Sequence, residues 1–151
     1  MIRKIVVSLI VFLSIQVLCF SQSGTSLKKT GQLVIQYENI KSSEGNVVVK
    51  LYNSQSPKYP DTKSAIAIKA VKIVNKQARV TFDDLPYGKY AFTTFHDENL
   101  NGVMDTNMIH FPTEGYAFSN NLKIMFGPPS FEKASINLHQ PEKIINVKLT
   151  Y

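Results

Sequence analysis

The chain has 151 residues, of which 44% are hydrophobic, and its 17 basic and 11 acidic side chains give a formal net charge of +6. This length suits one domain with its own core, and the single cysteine excludes an internal disulfide. The basic residues are spread along the chain without a block of like charges, so we expect no nucleic-acid partner.

Residues 1–21 are predicted to form a signal peptide. Arg3 and Lys4 precede an apolar run at residues 5–20, and small and polar residues follow at 21–24. This order of charged, apolar and small residues marks export, and the apolar run is shorter than the roughly 20 continuous residues of a membrane anchor. We therefore expect a periplasmic or secreted mature chain without a transmembrane segment.

The alternative is a lipid anchor at Cys19. Lipoprotein processing acylates a cysteine that follows a small residue, whereas Leu18 precedes Cys19 here. Cleavage between Ser21 and Gln22 is favoured, because it obeys the small-residue rule. The mature chain would then contain no cysteine.

Alternating apolar residues predict β-strands. Residues 22–30 are polar and lack periodicity, so we expect a flexible lead there and a single domain over 31–151. Within that domain apolar residues recur at every second position, which is the period of a half-buried strand. The alternating sets are Leu33, Ile35 and Tyr37; Val47, Val49 and Leu51; Ala78, Val80 and Phe82; Tyr90 and Phe92; Ile136 and Leu138; and Ile145, Val147 and Leu149.

Turn signals separate these strands. The sequence Leu-Pro-Tyr-Gly at 85–88 predicts a hairpin over 78–96, and the β-branched segment 66–74 predicts a further strand of unclear register. Proline-containing loops are expected at 53–64 and 127–130. About seven short strands without helical crossovers predict an all-β, antiparallel β-sandwich, immunoglobulin-like or transthyretin-like. A small β-barrel is the alternative, because alternation cannot separate the two.

The segment after the predicted hairpin carries the pattern of a calcium loop. It reads D-x-N-x-N-G-x-x-D from residue 97 to residue 105. Oxygen-bearing side chains at alternate positions point inward as such a chain curls, the glycine permits the sharp turn, and a backbone carbonyl adds a ligand. The candidate ligands are Asp97, Asn99, Asn101, Val103, Asp105 and Glu114.

The loop departs from an EF-hand, because Met108 stands where a bidentate glutamate is required and no helix flanks the loop. Glu114 is the nearest carboxylate that could close the site. Because only two formal negative charges are certain among the candidate ligands, we expect weak calcium binding, with a dissociation constant on the order of 10⁻⁴ to 10⁻³ M. The alternative is a turn that its own asparagine side chains cap without metal.

Two further groups of residues are candidates for binding or catalysis. His96 at a strand end could act as a ligand or general base, and with Asp97 or Glu114 it would suit an envelope hydrolase. The chain lacks a G-x-S-x-G motif, a phosphate-binding glycine loop and a catalytic cysteine, so we expect no enzymatic activity. The aromatic residues either form a polymer-binding platform or cover the core; they are Phe111, Tyr116 and Phe118.

Several motifs together resemble a bacterial exported family, domain-of-unknown-function family 2141. They read V-T-F-D-D-L-P-Y-G-K-Y-A-F, H-D-E-N-L-N-G-V-M-D-T-N, P-T-E-G-Y-A-F-S-N-N and G-P-P-S-F-E-K-A. The resemblance implies an exported β-sandwich and no established activity. The chain departs from the family pattern at residues 109–111, where relatives tend to have a glycine-containing turn. The positions matching the central motif are Asp97, Asn99, Asn101, Gly102, Asp105, Pro112, Glu114 and Gly115.

These observations favour an exported, non-enzymatic binding or accessory domain, with calcium as its one candidate cofactor. Its expected partner is an envelope protein or polymer. The alternatives are the envelope hydrolase and a structural or adhesive envelope protein that pairs through a sheet edge or the aromatic cluster.

Overall fold

A computed structural model describes residues 29–124 and 127–151 of the chain. The predicted signal peptide, Cys19 and most of the predicted lead lie outside these residues. The described residues form eight strands: β1 (Thr30–Tyr37), β2 (Asn46–Asn53), β3 (Ala67–Lys72), β4 (Ala78–Pro86), β5 (Gly88–Asp97), β6 (Tyr116–Phe118), β7 (Ile136–Leu138) and β8 (Glu142–Val147).

Within residues 29–124 and 127–151, helical structure is limited to short pieces. Two 3₁₀ turns span Thr62–Ser64 and Ser119–Asn121, and one α-helical turn, α1, spans Phe131–Ala134. In the described part of the chain, no helix has the length and apolar character needed to cross a membrane.

The strands form two sheets, which confirms the predicted all-β sandwich over the alternative barrel. One sheet has three strands in the order β4-β1-β8, and the other has five, with β3-β2-β5-β6 in a row and β7 also paired to β5. Most neighbouring strands are antiparallel, but β8 runs parallel to β1, with Val34 opposite Ile144. The predicted strand at 66–74 is present as β3, whereas the three-residue β6 was not predicted.

The predicted hairpin over 78–96 is wrong. β4 pairs with β1 in one sheet and β5 pairs with β2 in the other, so the turn around Tyr87 carries the chain from sheet to sheet. The Tyr90 hydroxyl donates to the carbonyl of Pro86 across this turn at 2.6 Å. A proline-glycine turn encodes a reversal of direction, but strand pairing depends on which apolar faces must be buried together.

The alternating residues form the core between the sheets, as predicted. Leu33, Ile35 and Tyr37 of β1 belong to one core cluster with the inner residues of β2, β4 and β5, and all three are at most 1% exposed. Full burial of a side chain of this size stabilises the fold by about 1.5–3 kcal/mol. Within the core the Tyr37 hydroxyl is hydrogen-bonded to the Thr94 hydroxyl at 2.6 Å, so its polar atom is satisfied.

The outer face of the five-stranded sheet is also buried, which alternation did not predict. Val48, Phe95 and Tyr116 lie side by side across β2, β5 and β6 on this face, and each is at most 5% exposed. The ammonium of Lys50 lies 5.1 Å from the centre of the Phe95 ring. Loops on either side of the sheet therefore fold over its outer face.

We predict that Gly45→Ala destabilises the fold more than Gly102→Ala. Both glycines have positive φ, where any side chain costs about 1–2 kcal/mol. A Cβ at Gly45 would also lie 2.0 Å from the carbonyl oxygen of Asp97, whereas one at Gly102 meets nothing within 4 Å. The forced shift adds about 1–3 kcal/mol. Urea unfolding of both variants in EDTA measures the difference, and equal losses would contradict the close approach.

We also predict that the free energy of unfolding falls above about pH 10. Burial raises the pKa of Tyr37 and of Tyr59 well above the ordinary value of 10.0. The folded state keeps these protons while the unfolded state loses them, so stability is constant below the unfolded pKa and declines above it, by at most about 1.4 kcal/mol per pH unit for each tyrosine. Chemical unfolding between about pH 8 and 11 tests this, and Tyr37→Phe should show a shallower decline than the parent.

Candidate functional site

The calcium-like pattern lies in one closed excursion, residues 97–114, between β5 and β6, which we call the acidic loop. The backbone amide of His96 donates to the carbonyl of Gly115 at 2.7 Å, which joins the two ends of the loop. Further out, the amide of Thr113 donates to the carbonyl of Asp105 at 2.9 Å, and Thr106 forms a β-bridge with Pro112. The neck of the loop is therefore fixed by backbone contacts.

Asp97 closes the turn from the inside. It is the last residue of β5 and only 3% exposed. One carboxylate oxygen accepts the amide of Asn101 and the other accepts the amide of Gly102, both at 3.0 Å. A carboxylate at this first position therefore organises the five residues that follow it.

Two asparagine side chains continue the curl of the backbone. Oδ1 of Asn99 accepts the amide of Asn101 at 3.0 Å, and Oδ1 of Asn101 accepts the amide of Val103 at 2.8 Å. These are Asx turns, and each amide oxygen keeps a second lone pair after making one. Leu100 and Gly102, each directly after one of these asparagines, have positive φ, as sharp turns of this kind require.

Asp105 is the point on which the asparagines converge. Its Oδ2 accepts the side-chain amide of Asn99 at 2.7 Å, and its Oδ1 accepts that of Asn101 at 3.0 Å. The structure thus brings Asp97, Asn99, Asn101 and Asp105 into one connected cluster, as their spacing predicts. Val103 contributes its amide to the same cluster, and its side chain is 59% exposed.

Glu114 ties the two arms of the loop together. It is 6% exposed; its Oε1 accepts the amide of Glu98 and its Oε2 accepts the amide of Asp105, both at 3.1 Å. Both oxygens therefore hold backbone on opposite sides of the neck. The sequence made this residue a candidate ligand but gave no sign of this bridging role.

His96 is packed in the interior, away from the exposed part of the loop. Because a carbonyl can only accept, Nε2 carries the proton and donates to the carbonyl of Glu44 at 2.8 Å. Nδ1 then accepts from the Tyr151 hydroxyl at 2.8 Å, and that hydroxyl accepts the amide of Lys41 at 3.1 Å. The side chain is 0% exposed, and both of its nitrogens are bonded to protein groups.

The aromatic platform is not formed as an exposed patch. Tyr116 is 4% and Phe118 is 6% exposed, and their rings meet edge to face with centres 6.1 Å apart. Phe111 packs edge-on against Tyr116 at 6.4 Å and is 45% exposed. These rings lie on the outer face of the five-stranded sheet, outside the core between the sheets.

The acidic loop differs in charge from the rest of the protein. Its carboxylates give it a formal charge of −4 without any lysine or arginine, whereas the whole chain is at +6; they belong to Asp97, Glu98, Asp105 and Glu114. The ammonium of Lys41 lies 3.8 Å from the carboxylate of Glu98, and such an exposed pair contributes little. Among the described residues, no group of three or more His, Cys, Asp or Glu side chains is gathered for a metal, so this candidate depends on its asparagine oxygens.

Comparison with known proteins identifies the family of the chain. Residues 35–146 match the domain-of-unknown-function family 2141, described as an uncharacterized protein conserved in bacteria. The match runs from the middle of β1 to β8 and includes the acidic loop. No curated protein and no solved structure matches the chain. The chain belongs to domain-of-unknown-function family 2141, as its motifs predict.

Proposed function

We propose that the protein is an exported, non-enzymatic binding or accessory domain whose acidic loop binds Ca²⁺ weakly. The observation that carries this proposal is the shared turn of Asp97, Asn99, Asn101 and Asp105. In it the first carboxylate holds two backbone amides, and the two asparagines form successive Asx turns. Oxygen atoms at alternate positions of a tight turn are the arrangement that calcium loops use.

The chemistry of the donors favours calcium over other cations. Carboxylate, amide and carbonyl oxygens are hard ligands, and calcium accepts six to eight of them in irregular geometry, whereas magnesium demands a near-ideal octahedron. A divalent ion would also neutralise half of the −4 charge of the loop. To bind the ion, the Asp105 carboxylate would give up the hydrogen bonds that it now accepts from the side-chain amides of Asn99 and Asn101.

Glu114 has two roles in this proposal. Its contacts with Glu98 and Asp105 position the neck, and its remaining lone pairs make it the candidate for a closing ligand. The carbonyl of Val103 is the candidate backbone ligand. Because the asparagines are exposed and neutral, we expect a dissociation constant on the order of 10⁻⁴ to 10⁻³ M, as in extracellular modules.

The alternative is a loop that functions without metal. The hydrogen bonds from Asn99 and Asn101 to Asp105 favour it, because they satisfy the carboxylate within the protein. The two proposals differ in how the folded protein responds to calcium.

We predict that calcium stabilises the folded chain. At concentrations several-fold above the dissociation constant, the free energy of unfolding should rise by about 1–2 kcal/mol relative to EDTA, because the ion binds only the folded loop. Magnesium at the same concentration should do less. Urea unfolding and titration calorimetry on residues 22–151 measure both effects.

Asp105→Asn and Asp84→Asn form a matched pair for this experiment. Each removes one negative charge, but Asp84 lies in β4, outside the loop, and is exposed. Asp105→Asn and Asp97→Ala should abolish the response to calcium, while Asp84→Asn should retain it. An equal response in both aspartate-to-asparagine variants would mean unspecific screening, and no response in the parent would remove the metal from the proposal.

The non-enzymatic part of the proposal is supported by the position of His96. The hydrolase alternative needs this side chain as a base beside Asp97 or Glu114, but its two nitrogens bond Glu44 and Tyr151, and the loop carboxylate near it is that of Glu98, 3.8 Å from Nδ1. The carboxylates of Asp97 and Glu114 are likewise engaged with backbone amides. We therefore favour recognition of an envelope protein or polymer over chemistry on one.

Export predicts a defined mature N-terminus. When the full chain is produced in a bacterium with a secretory system, the exported protein should begin at Gln22, as N-terminal sequencing or intact mass would show. Cys19→Ser is the matched variant. It should be processed identically, whereas a lipid anchor would require Cys19 and this substitution would block its processing.

A further inference from the structure

Exposed apolar side chains are concentrated on the acidic loop. Of the ten large hydrophobic residues that are exposed in the described part of the chain, five lie between residues 100 and 111. Met108 is 99% and Ile109 is 81% exposed, and Phe111 is 45% exposed. We call these three residues the apolar tip. Clustered apolar exposure on a soluble surface marks a contact site.

The apolar tip is held in a fixed shape. Oδ1 of Asn107 accepts the amides of Ile109 at 3.1 Å and of Phe111 at 3.0 Å. The backbone of Asn107 also donates to the carbonyl of Phe111 and accepts the amide of His110, each at 2.9 Å. The backbone that carries Met108 and Ile109 is therefore already ordered, which lowers the entropic cost of binding.

A shallow groove of about 390 Å³ on the same molecule has complementary character. It lies between the end of β1 and the turn that joins β3 to β4, and we call it the basic groove. Its charged residues are Lys72, Arg79 and Glu38, a net positive set, and Val74 at its edge is 64% exposed. It thus offers an apolar contact beside charged side chains whose formal charges sum to +1.

The apolar tip and the basic groove lie at the same end of the sandwich. Asn46 at the start of β2 is opposite Lys72 of β3 on one side and Asp97 of β5 on the other. β1 ends there too, because Tyr37 bonds Thr94 near the end of β5. Two copies that meet at this end around a two-fold axis can each place a tip in the other's groove.

We propose that the apolar tip of one copy docks in the basic groove of a second copy, and reciprocally, so that the protein forms a closed two-fold dimer. Charge complementarity carries the choice of partner: the tip stands on a loop of formal charge −4, and the groove lined by Lys72, Arg79 and Glu38 has a formal charge of +1. An anionic lipid surface would repel this loop. The proposal does not depend on calcium, so it is tested in EDTA.

Sedimentation velocity on residues 22–151, which include every described residue, tests the dimer. The mass should double as protein concentration rises, and association should weaken with added salt because the pairing is partly electrostatic. Met108→Ser with Ile109→Ser, or Lys72→Glu with Arg79→Glu, should each raise the dissociation constant at least about tenfold. The matched control is Ile144→Ser, which removes an exposed side chain from β8 (49% exposed) and should leave association unchanged.

Mixing the two double variants separates reciprocal docking from unspecific adhesion. Neither variant alone retains a matching tip and groove, but a mixed pair restores one of the two contacts. The equimolar mixture should therefore associate more strongly than either variant alone. Circular dichroism and urea unfolding check that each variant stays folded.

Three results would overturn the proposal. One is a monomer at every concentration, and another is association that neither double variant weakens. The third is flotation of the parent chain with vesicles of anionic and zwitterionic phospholipid that Met108→Ser with Ile109→Ser abolishes, because it would make lipid the occupant of the tip. Since every measurement is made in EDTA, failure of the calcium proposal would leave this result unaffected.

Discussion

The pairing of β2 with β5 is the contact on which the rest of the structure depends. It runs in continuous register from Asn53 opposite Tyr90 to Asn46 opposite Asp97, and β5 also pairs with β6 and β7. Its inner residues build the core, and its last residue begins the acidic loop. Gly45 approaches Asp97 too closely for any side chain, so the first residue of the loop is placed by the sheet itself.

The sequence predicted which side chains are buried better than which strands are neighbours. Alternation at Leu33, Ile35 and Tyr37 reports the inner face of a strand, and that face is found in the core. The same pattern does not identify the neighbour of a strand or its direction. The parallel pairing of β8 with β1 was therefore not predicted, and the β4–β5 connection was wrongly predicted to be a hairpin. Strand neighbours are set by contacts between distant residues, and those leave no local period.

The acidic loop shows the same division between local and distant contacts. The cluster from Asp97 to Asp105 was predictable because its hydrogen bonds join residues two to six positions apart. The position of His96 was not, because its partner Tyr151 lies 55 residues away. In the sequence, Met108 was significant only because it occupies the position of the EF-hand glutamate. Its exposure depends on the turn in which Asn107 accepts the amides of Ile109 and Phe111.

The loop divides into a fixed neck and an adjustable rim. Asp97 and Glu114 are buried and bond backbone amides, so the fold holds the neck with or without an ion. Asn99 and Asn101 are exposed, and their hydrogen bonds to Asp105 join side chains alone. An ion entering the rim would replace these existing hydrogen bonds, so we expect the net gain in free energy from binding to be small.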